Sequence, residues 1–132
     1  MNIEIGYPPN YEKIKSRLTV EKNKKIVFTY GDTLYNPSNG FVSKDLEVHE
    51  KTHIKQQAMS TPDKWWEFYL TEDLFRLDQE VEAYRNQYRY FKQNSVIKDR
   101  IPQLLERLAH DLSSPVYGNI ITFEGALELI RG

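Results

Sequence analysis

The chain has 132 residues and a mass of 15.7 kDa, so we expect residues 1–132 to form a single domain. Its 18 basic and 19 acidic residues leave a formal charge of −1, which argues against nucleic acid as the main partner. Cysteine is absent, which excludes disulfides and thiolate catalysis, so histidine, aspartate or glutamate must hold any metal.

The segment Met1–Gly6 lacks the basic and apolar regions of a signal peptide. No stretch approaches the roughly 18 apolar residues that cross a bilayer. We therefore expect a cytoplasmic protein without a membrane partner.

Two extended segments are predicted in the N-terminal third, after a short helix that Asn10 would cap. Residues 25–30 (KIVFTY) are β-branched and aromatic, and residues 33–36 (TLYN) resume this character after a turn. This pattern predicts a hairpin or two neighbouring strands.

Five further helices are predicted from capping residues and hydrophobic spacing. Their expected ranges are about Ser43 to Met59, from Thr61-Pro62 onwards, about Thr71 to Lys92, from near Asp99, and from near Thr122. The apolar seam of the longest one is Leu74, Leu77, Val81, Tyr84, Tyr88 and Phe91. We therefore expect an α+β fold, mostly helical, with a small N-terminal sheet.

The helix after Ser43 carries an HExxH motif, in which His49 and His53 are four positions apart. Positions i and i+4 lie about 40° apart around a helix and about 6 Å along it, so both imidazoles can reach one zinc ion. Glu50 can reach a zinc-bound water without being a ligand, as a general base must. Random order of this composition yields the motif with a probability on the order of 0.006.

A third ligand is expected on the longest helix, because the metzincin extension HExxHxxGxxH is absent. Glu80 and Glu82 point about 200° apart, so only one can face the metal comfortably. Glu80 borders the apolar seam, whereas Glu82 shares a stripe with charged residues, and we choose Glu80. The alternative for Glu80 is an i,i+4 ion pair with Arg76.

These motifs resemble the gluzincins, whose pattern is HExxH followed by a glutamate on a later helix. The likeness is greatest to very small phage and prophage zincins with the pattern HExxHxxQQ, then tryptophans, then ExEAY. It covers about Thr33 to Gln87 and includes Gln56-Gln57, Trp65-Trp66 and Glu80-Val81-Glu82-Ala83-Tyr84. Ala83 matches the small residue of larger gluzincins, but Tyr84 departs from their Asp or Asn, which puts the partner of a zinc-bound histidine in doubt.

The resemblance implies a zincin-like fold and a zinc metallopeptidase that hydrolyses peptide bonds by a zinc-activated water, with Glu50 as general base. His49, His53 and Glu80 would hold Zn²⁺, and the partner would be a peptide or protein substrate. In such folds the substrate extends along the edge strand before the active helix, a place that residues 33–36 would fill.

Two other functions are weighed against the peptidase. One is a non-catalytic structural or binding protein on a zincin scaffold, of phage type and compatible with association with a virion. An intact Glu50 favours the enzyme, because a structural site has no use for a base. The other is a metal-free interaction module that exposes an aromatic helix face, formed by Tyr84, Tyr88, Tyr90 and Phe91.

The group that would stabilise the reacting oxygen stays open at this stage. His110 and Tyr117 are candidates by residue type, although such residues are more often structural. Trp65 and Trp66 either line a substrate pocket or pack in the core. Arg76 either anchors the site or is a plain surface cation. Substrate and oligomeric state are not specified by the sequence.

Overall fold

The computed structural model describes residues 1–132 and is mostly helical, with one small sheet, so the expected α+β class is confirmed. The elements in chain order are β1 (Asn2–Glu4), α1 (Tyr11–Arg17), β2 (Phe28–Tyr30), β3 (Thr33–Tyr35), α2 (Lys44–Ala58), α3 (Pro62–Thr71), α4 (Asp73–Asn94), α5 (Arg100–Leu112), a 3₁₀ turn (Pro115–Tyr117) and α6 (Phe123–Arg131).

The sheet has the strand order β1-β3-β2, which corrects the predicted role of residues 33–36. The predicted hairpin is present, because β2 and β3 pair antiparallel. However, β3 also pairs in parallel with β1, so it is the central strand and has no free edge for a substrate. The strand β1 was missing from the sequence prediction. The edge nearest the helices belongs to β2.

The three predicted helix starts with a hydroxyl cap are confirmed. The side chain of Ser43 accepts a hydrogen bond from the Leu46 amide and caps α2. Thr61 caps α3 in the same way, with Pro62 at the first helical position, where its missing N–H costs nothing. Thr122 caps α6. These caps fix where the chain enters the helices around the site.

The predicted apolar seam of α4 packs against α5 and α6 except at Leu74, and a polar side of the helix is buried as well. Leu74 is 77% exposed, whereas the polar residues Arg76, Glu80 and Gln87 are buried. The side of α4 that faces α2 is therefore largely polar. Because Tyr84 and Tyr88 are also buried, the exposed aromatic face required by the interaction-module alternative does not exist.

Two apolar clusters flank the contact between α2 and α4. One joins α4 to α5 and α6, with Leu108, Leu112 and Ile130 almost fully buried. The other joins α1, β2 and α3 around Ile14, Trp65 and Trp66. No helix combines the length and the apolar character needed to cross a membrane.

Candidate metal centre

The structure brings His49 and His53 of α2 together with Glu80 of α4, and all three are buried. The two Nε2 atoms lie 3.2 Å apart, and each lies 3.1 Å from the nearer carboxylate oxygen of Glu80. Two ligand atoms of a tetrahedral zinc ion, each about 2.0–2.1 Å from the metal, lie about 3.3 Å apart. The spacing of the three side chains therefore fits one metal ion.

Two glutamine amides fix which nitrogen of each histidine faces the cluster. The Nε2 atom of Gln87 donates to Asp45, so its Oε1 atom is left to accept from His49 Nδ1 at 3.0 Å. On the other side, Gln56 donates to the Gln79 carbonyl and to Glu82, and its Oε1 atom accepts from His53 Nδ1 at 2.8 Å. With both Nδ1 atoms protonated, a neutral imidazole directs its Nε2 lone pair at the cluster, as a metal ligand requires.

The carboxylate of Glu80 is held by a partner outside α2. Its Oε2 atom accepts a hydrogen bond of 2.6 Å from the Tyr69 hydroxyl. Arg76 does not form the alternative ion pair with Glu80, because its guanidinium binds Asp73 and the carbonyls of Tyr69 and Tyr117. Arg76 therefore anchors the chain around the site.

Glu82 points away from the three-residue cluster, yet it is connected to it. Its carboxylate is exposed and accepts a hydrogen bond of 2.7 Å from Gln56, which in turn orients His53. The sequence placed Glu82 on a solvated stripe, and the structure adds this indirect contact. Glu82 therefore supports His53 from outside.

The charges in the cluster shift the pKa values of the metal-free protein. Burial by itself lowers the pKa of His53, but the charge and the hydrogen bond of Glu80 raise it to about 9. Burial also raises the pKa of Glu80, and here His53 and His49 prevail and hold it well below its usual range. Without a metal, a proton on His53 is thus stabilised by Glu80.

Glu50 differs from its neighbours because its carboxylate forms no hydrogen bond within the protein, although only 7% of the residue is exposed. Burial raises the pKa of this carboxyl group. Glu50 also lines both cavities that adjoin the cluster. The Glu50 carboxylate is therefore available to bind a water molecule or a substrate.

Tyr117 contacts the site, whereas His110 does not. The hydroxyl groups of Tyr84 and Tyr117 lie 2.7 Å apart and have no other partner within the chain, so one of their two protons has no acceptor. Burial, followed by the charge of Glu80, raises the pKa of Tyr117 well above its usual value, which keeps this proton in place. His110 is exposed and packs its ring on Phe123.

The side chain that orients His49 is Gln87 and not Tyr84. The Tyr84 ring packs edge-on against the His49 ring, with centroids 4.4 Å apart, and its hydroxyl does not reach the imidazole. The histidine's partner is instead Gln87, one helical turn further along α4. Sequence reasoning missed Gln87 because a glutamine on a charged helix carries no signal of burial, and it quoted Gln56 in the HExxHxxQQ pattern without assigning it a role.

Two cavities meet at the cluster. An apolar cavity of about 90 Å³ lies on the side of α3, where Trp65 and Trp66 line it and also pack in the core. A more polar cleft of about 260 Å³ lies between α2 and α5 and includes Lys25, Arg107 and Asp111. His49 and Glu50 line both. A substrate in the cleft would therefore meet the cluster.

In comparisons with protein-family models, curated proteins and solved structures, none matches this chain. The likeness to small gluzincins therefore rests on the residues quoted above and on the geometry of the cluster.

Proposed function

We propose that residues 1–132 form a zinc-dependent peptidase domain of the gluzincin type, acting on peptides or proteins. The position of Glu50 is the main observation that supports this proposal. Glu50 is a buried carboxylate without a protein partner, beside three converging metal ligands, at the junction of two cavities. A general base needs such a position, because at least one of its oxygens must be free to accept a proton from water.

The donor set supports a catalytic metal rather than a structural one. Structural zinc sites are closed by four protein ligands, whereas catalytic sites use three and keep one position open. His49, His53 and Glu80 are the only cluster of histidine and carboxylate side chains with ligand spacing in the chain. The two amide contacts to Nδ1 are the outer support that zinc-bound histidines require.

Each residue of the site has a separate role in the proposed peptide hydrolysis. Zinc, when bound, supplies a Lewis acid and a nucleophilic water at neutral pH. Glu50 accepts a proton at its carboxylate and delivers it to the leaving amine. Tyr117 keeps a hydroxyl proton that can be donated to the carbonyl oxygen of the substrate as negative charge develops. Gln87 and Gln56 hold both imidazoles in place throughout.

The test compares two chemically identical changes on one helix. Glu50→Gln should keep the metal and reduce peptide hydrolysis by about 10²- to 10⁴-fold, because an amide cannot accept the proton. Glu47→Gln, on the same helix but outside both cavities, should leave hydrolysis unchanged. Cleavage of a peptide library by the zinc-loaded variants measures both effects.

Two outcomes would contradict the proposal. If Glu50→Gln cleaves a confirmed substrate at the wild-type rate, Glu50 is not the base. If the zinc-loaded wild type cleaves no peptide, the non-catalytic alternative is favoured. Metal analysis of protein purified without chelators should give one zinc per chain, and iron in its place would redirect the chemistry, because two histidines and one carboxylate also bind Fe(II).

A further inference from the structure

One side of α4 contacts two tyrosines of the site at both of their ends. Arg76, Glu80 and Tyr84 follow one another at intervals of four positions, so their side chains lie along one stripe of this helix. Arg76 donates to the main-chain carbonyl of Tyr69, and Glu80 accepts from the hydroxyl of the same residue. Arg76 also donates to the main-chain carbonyl of Tyr117, whose hydroxyl contacts that of Tyr84. The three side chains therefore hold both the main chain and the hydroxyl group of each tyrosine.

Arg76 is the only buried lysine or arginine of the chain, and it is 3% exposed. Its ionic partner, Asp73, has a side chain that is 76% exposed, so this ion pair alone does not require a buried guanidinium. The buried position instead places Nε 2.9 Å from the Tyr117 carbonyl. It also places Nη1 2.5 Å from the Tyr69 carbonyl, one of the last four of α3, which lack a partner within the helix. Because burying a cation is costly unless its N–H groups are satisfied, these two carbonyls define where Arg76 lies.

The turn that carries Tyr117 has few hydrogen bonds to the rest of the protein. It is a 3₁₀ turn of three residues between α5 and α6. Apart from Arg76 and Tyr84, only the Thr19 hydroxyl bonds to it from outside, through an exposed contact with the Pro115 carbonyl. Apolar packing is non-directional. The position of the Tyr117 hydroxyl therefore depends on the hydrogen bonds at the two ends of this residue.

Gly118 allows the guanidinium to lie close to this turn. Its φ is +89°, in the left-handed region that favours glycine. A Cβ atom at this position would lie 3.1 Å from Arg76 Nη2, closer than an ordinary van der Waals contact. A side chain at position 118 would therefore push the guanidinium and the turn apart.

We propose that Arg76 is a positioning residue that holds the Tyr117 hydroxyl in place beside the metal ligands. The inference rests on the proposed peptidase function, in which Tyr117 donates a proton, and adds the residue on which this donation depends. Tyr117 lines both cavities together with His49 and Glu50, so displacing its turn moves the hydroxyl relative to the reacting groups. A displacement of about 1 Å can cost about 10²-fold in rate. Arg76 lines neither cavity and therefore acts through Tyr117.

The kinetics of peptide hydrolysis by Arg76→Lys test this role. Lysine keeps the charge but replaces the planar fork, which reaches two carbonyls, with a single ammonium group. With the zinc-loaded chain, kcat should fall by about 10- to 100-fold and KM should stay within about twofold, because only the transition state uses the displaced hydroxyl. Arg85→Lys is the matched control and should leave both constants unchanged. Arg85 is also on α4 and also donates to a main-chain carbonyl, but to that of Leu129 in α6.

A double-mutant comparison separates positioning from a general structural role. In the Tyr117→Phe background the hydroxyl is already absent, so Arg76→Lys should change kcat by less than about threefold. An equal loss of kcat in both backgrounds would show that Arg76 acts on the fold and not through Tyr117, and would overturn the inference. A large rise in KM at unchanged kcat would overturn it as well, while the peptidase function stands.

NMR gives a readout that depends neither on hydrolysis nor on a metal. In metal-free protein labelled with ¹³C at the tyrosine Cζ atoms, Arg76→Lys and Gly118→Ala should each shift the Tyr117 signal. Gly31→Ala is the control and should leave this signal unchanged. Gly31 also has a left-handed backbone, with φ +65°, but a Cβ atom there would meet only Pro62, at 3.8 Å. The two test substitutions disturb the same contact from opposite sides, so if one variant fails to fold, the other decides.

The possible results distinguish this inference from the proposed function. If a folded Arg76→Lys or Gly118→Ala variant leaves the Tyr117 signal unchanged, the positioning role is wrong even if the wild type is a peptidase. If the zinc-loaded wild type cleaves no peptide, the proposed function fails. A role of Arg76 in catalysis then fails with it, even where both substitutions shift the signal.

Discussion

Helices α2 and α5 have similar lengths, 15 and 13 residues, but they bury different chemistry. The buried residues of α5 are all apolar: Leu104, Leu105, Leu108, Ala109 and Leu112. Those of α2 are all polar: Asp45, His49, Glu50, Thr52, His53, Gln56 and Gln57. The hydrophobic effect holds α5 in place whatever the pH. In contrast, α2 is held by hydrogen bonds, each of which needs a partner of the right kind.

The difference shows what a buried polar helix face requires in this small protein. A buried polar group without a partner costs about 1–3 kcal/mol, so a polar helix face persists only when nearly all its groups are satisfied. Gln57, fully buried, illustrates the satisfied case, since it binds both Thr29 and Gly31. The exception on α2 is the carboxylate of Glu50, whereas both histidine Nε2 atoms contact Glu80. The one buried side chain of this helix without a hydrogen-bond partner is therefore also the group that the proposed mechanism uses.

The largest expected effect is on metal binding at the polar helix. Glu80→Ala removes a ligand and should weaken zinc binding by more than about 100-fold, beyond the loss typical of an outer support. Glu82→Ala removes only the exposed acceptor of Gln56 and should weaken it by less than about tenfold. Competition with a chromophoric chelator compares the two dissociation constants. Equal losses, or a larger loss for Glu82→Ala, would rule out Glu80 as the third ligand.

The opposite behaviour is expected at the apolar helix. Leu108→Ala leaves a cavity in a well-packed cluster and should lower the free energy of unfolding by about 2–5 kcal/mol. Zinc affinity, measured where the variant is folded, should stay within about twofold of the wild type, because α5 contributes no ligand. Urea unfolding and the same chelator competition give both numbers. A large loss of zinc affinity would show that the two regions are coupled.

The hydrogen bonds behind His49 offer a finer test. Gln87→Leu should weaken zinc binding by about 10- to 100-fold, because the imidazole loses the group that orients it. Asp45→Asn combined with Gln87→Glu reverses the roles of the two side chains at constant charge, and this double variant should recover most of the affinity. Long-range ¹H–¹⁵N NMR should show His49 protonated at Nδ1 in the wild type. If the Gln87→Leu variant binds zinc with wild-type affinity, Gln87 is not needed to orient His49.

The smallest expected effect is a dependence of metal-free stability on pH. The raised pKa of His53 contributes stability that is complete below about 6.5 and is lost as pH rises through about 9. The lowered pKa of Glu80 contributes stability above its ordinary value of 4.5 that is lost on acidification. Thermal unfolding in EDTA should therefore show falling stability from pH 6.5 to 9.5, on the order of 1 kcal/mol. With zinc bound, the metal replaces the proton and this decline should be smaller.

Much of the site was predictable because its signals are local. The i,i+4 spacing of His49 and His53 needs only a helix, and the choice of Glu80 needed only the face of one helix. Ser43 and Thr61 predicted the starts of two helices, because serine and threonine side chains are preferred at the N-cap position. The strand β1 escaped prediction because its partner, β3, lies about thirty residues away and its own residues are exposed.

The errors on the helices share one physical origin. Periodicity treats polar residues as solvated, so it assigned Leu74 to the buried seam of α4 and overlooked Gln87. The true buried face alternates apolar residues with polar ones whose partners lie on α2 and α3. Such partners are known only once the helices are packed together, which a pattern along one helix cannot reveal.

The three converging side chains also bear on the order in which the protein assembles. His49 and Glu80 are 31 positions apart, and the helices that carry them are joined by α3 alone. The entropy cost of closing this segment is set by its own length, and closing it requires neither the N-terminal sheet nor the C-terminal helices. If the proposed site binds zinc, the ion can join α2 to α4 before the N-terminal sheet or the C-terminal helices have docked. We then expect zinc supply during synthesis to affect the yield of folded protein.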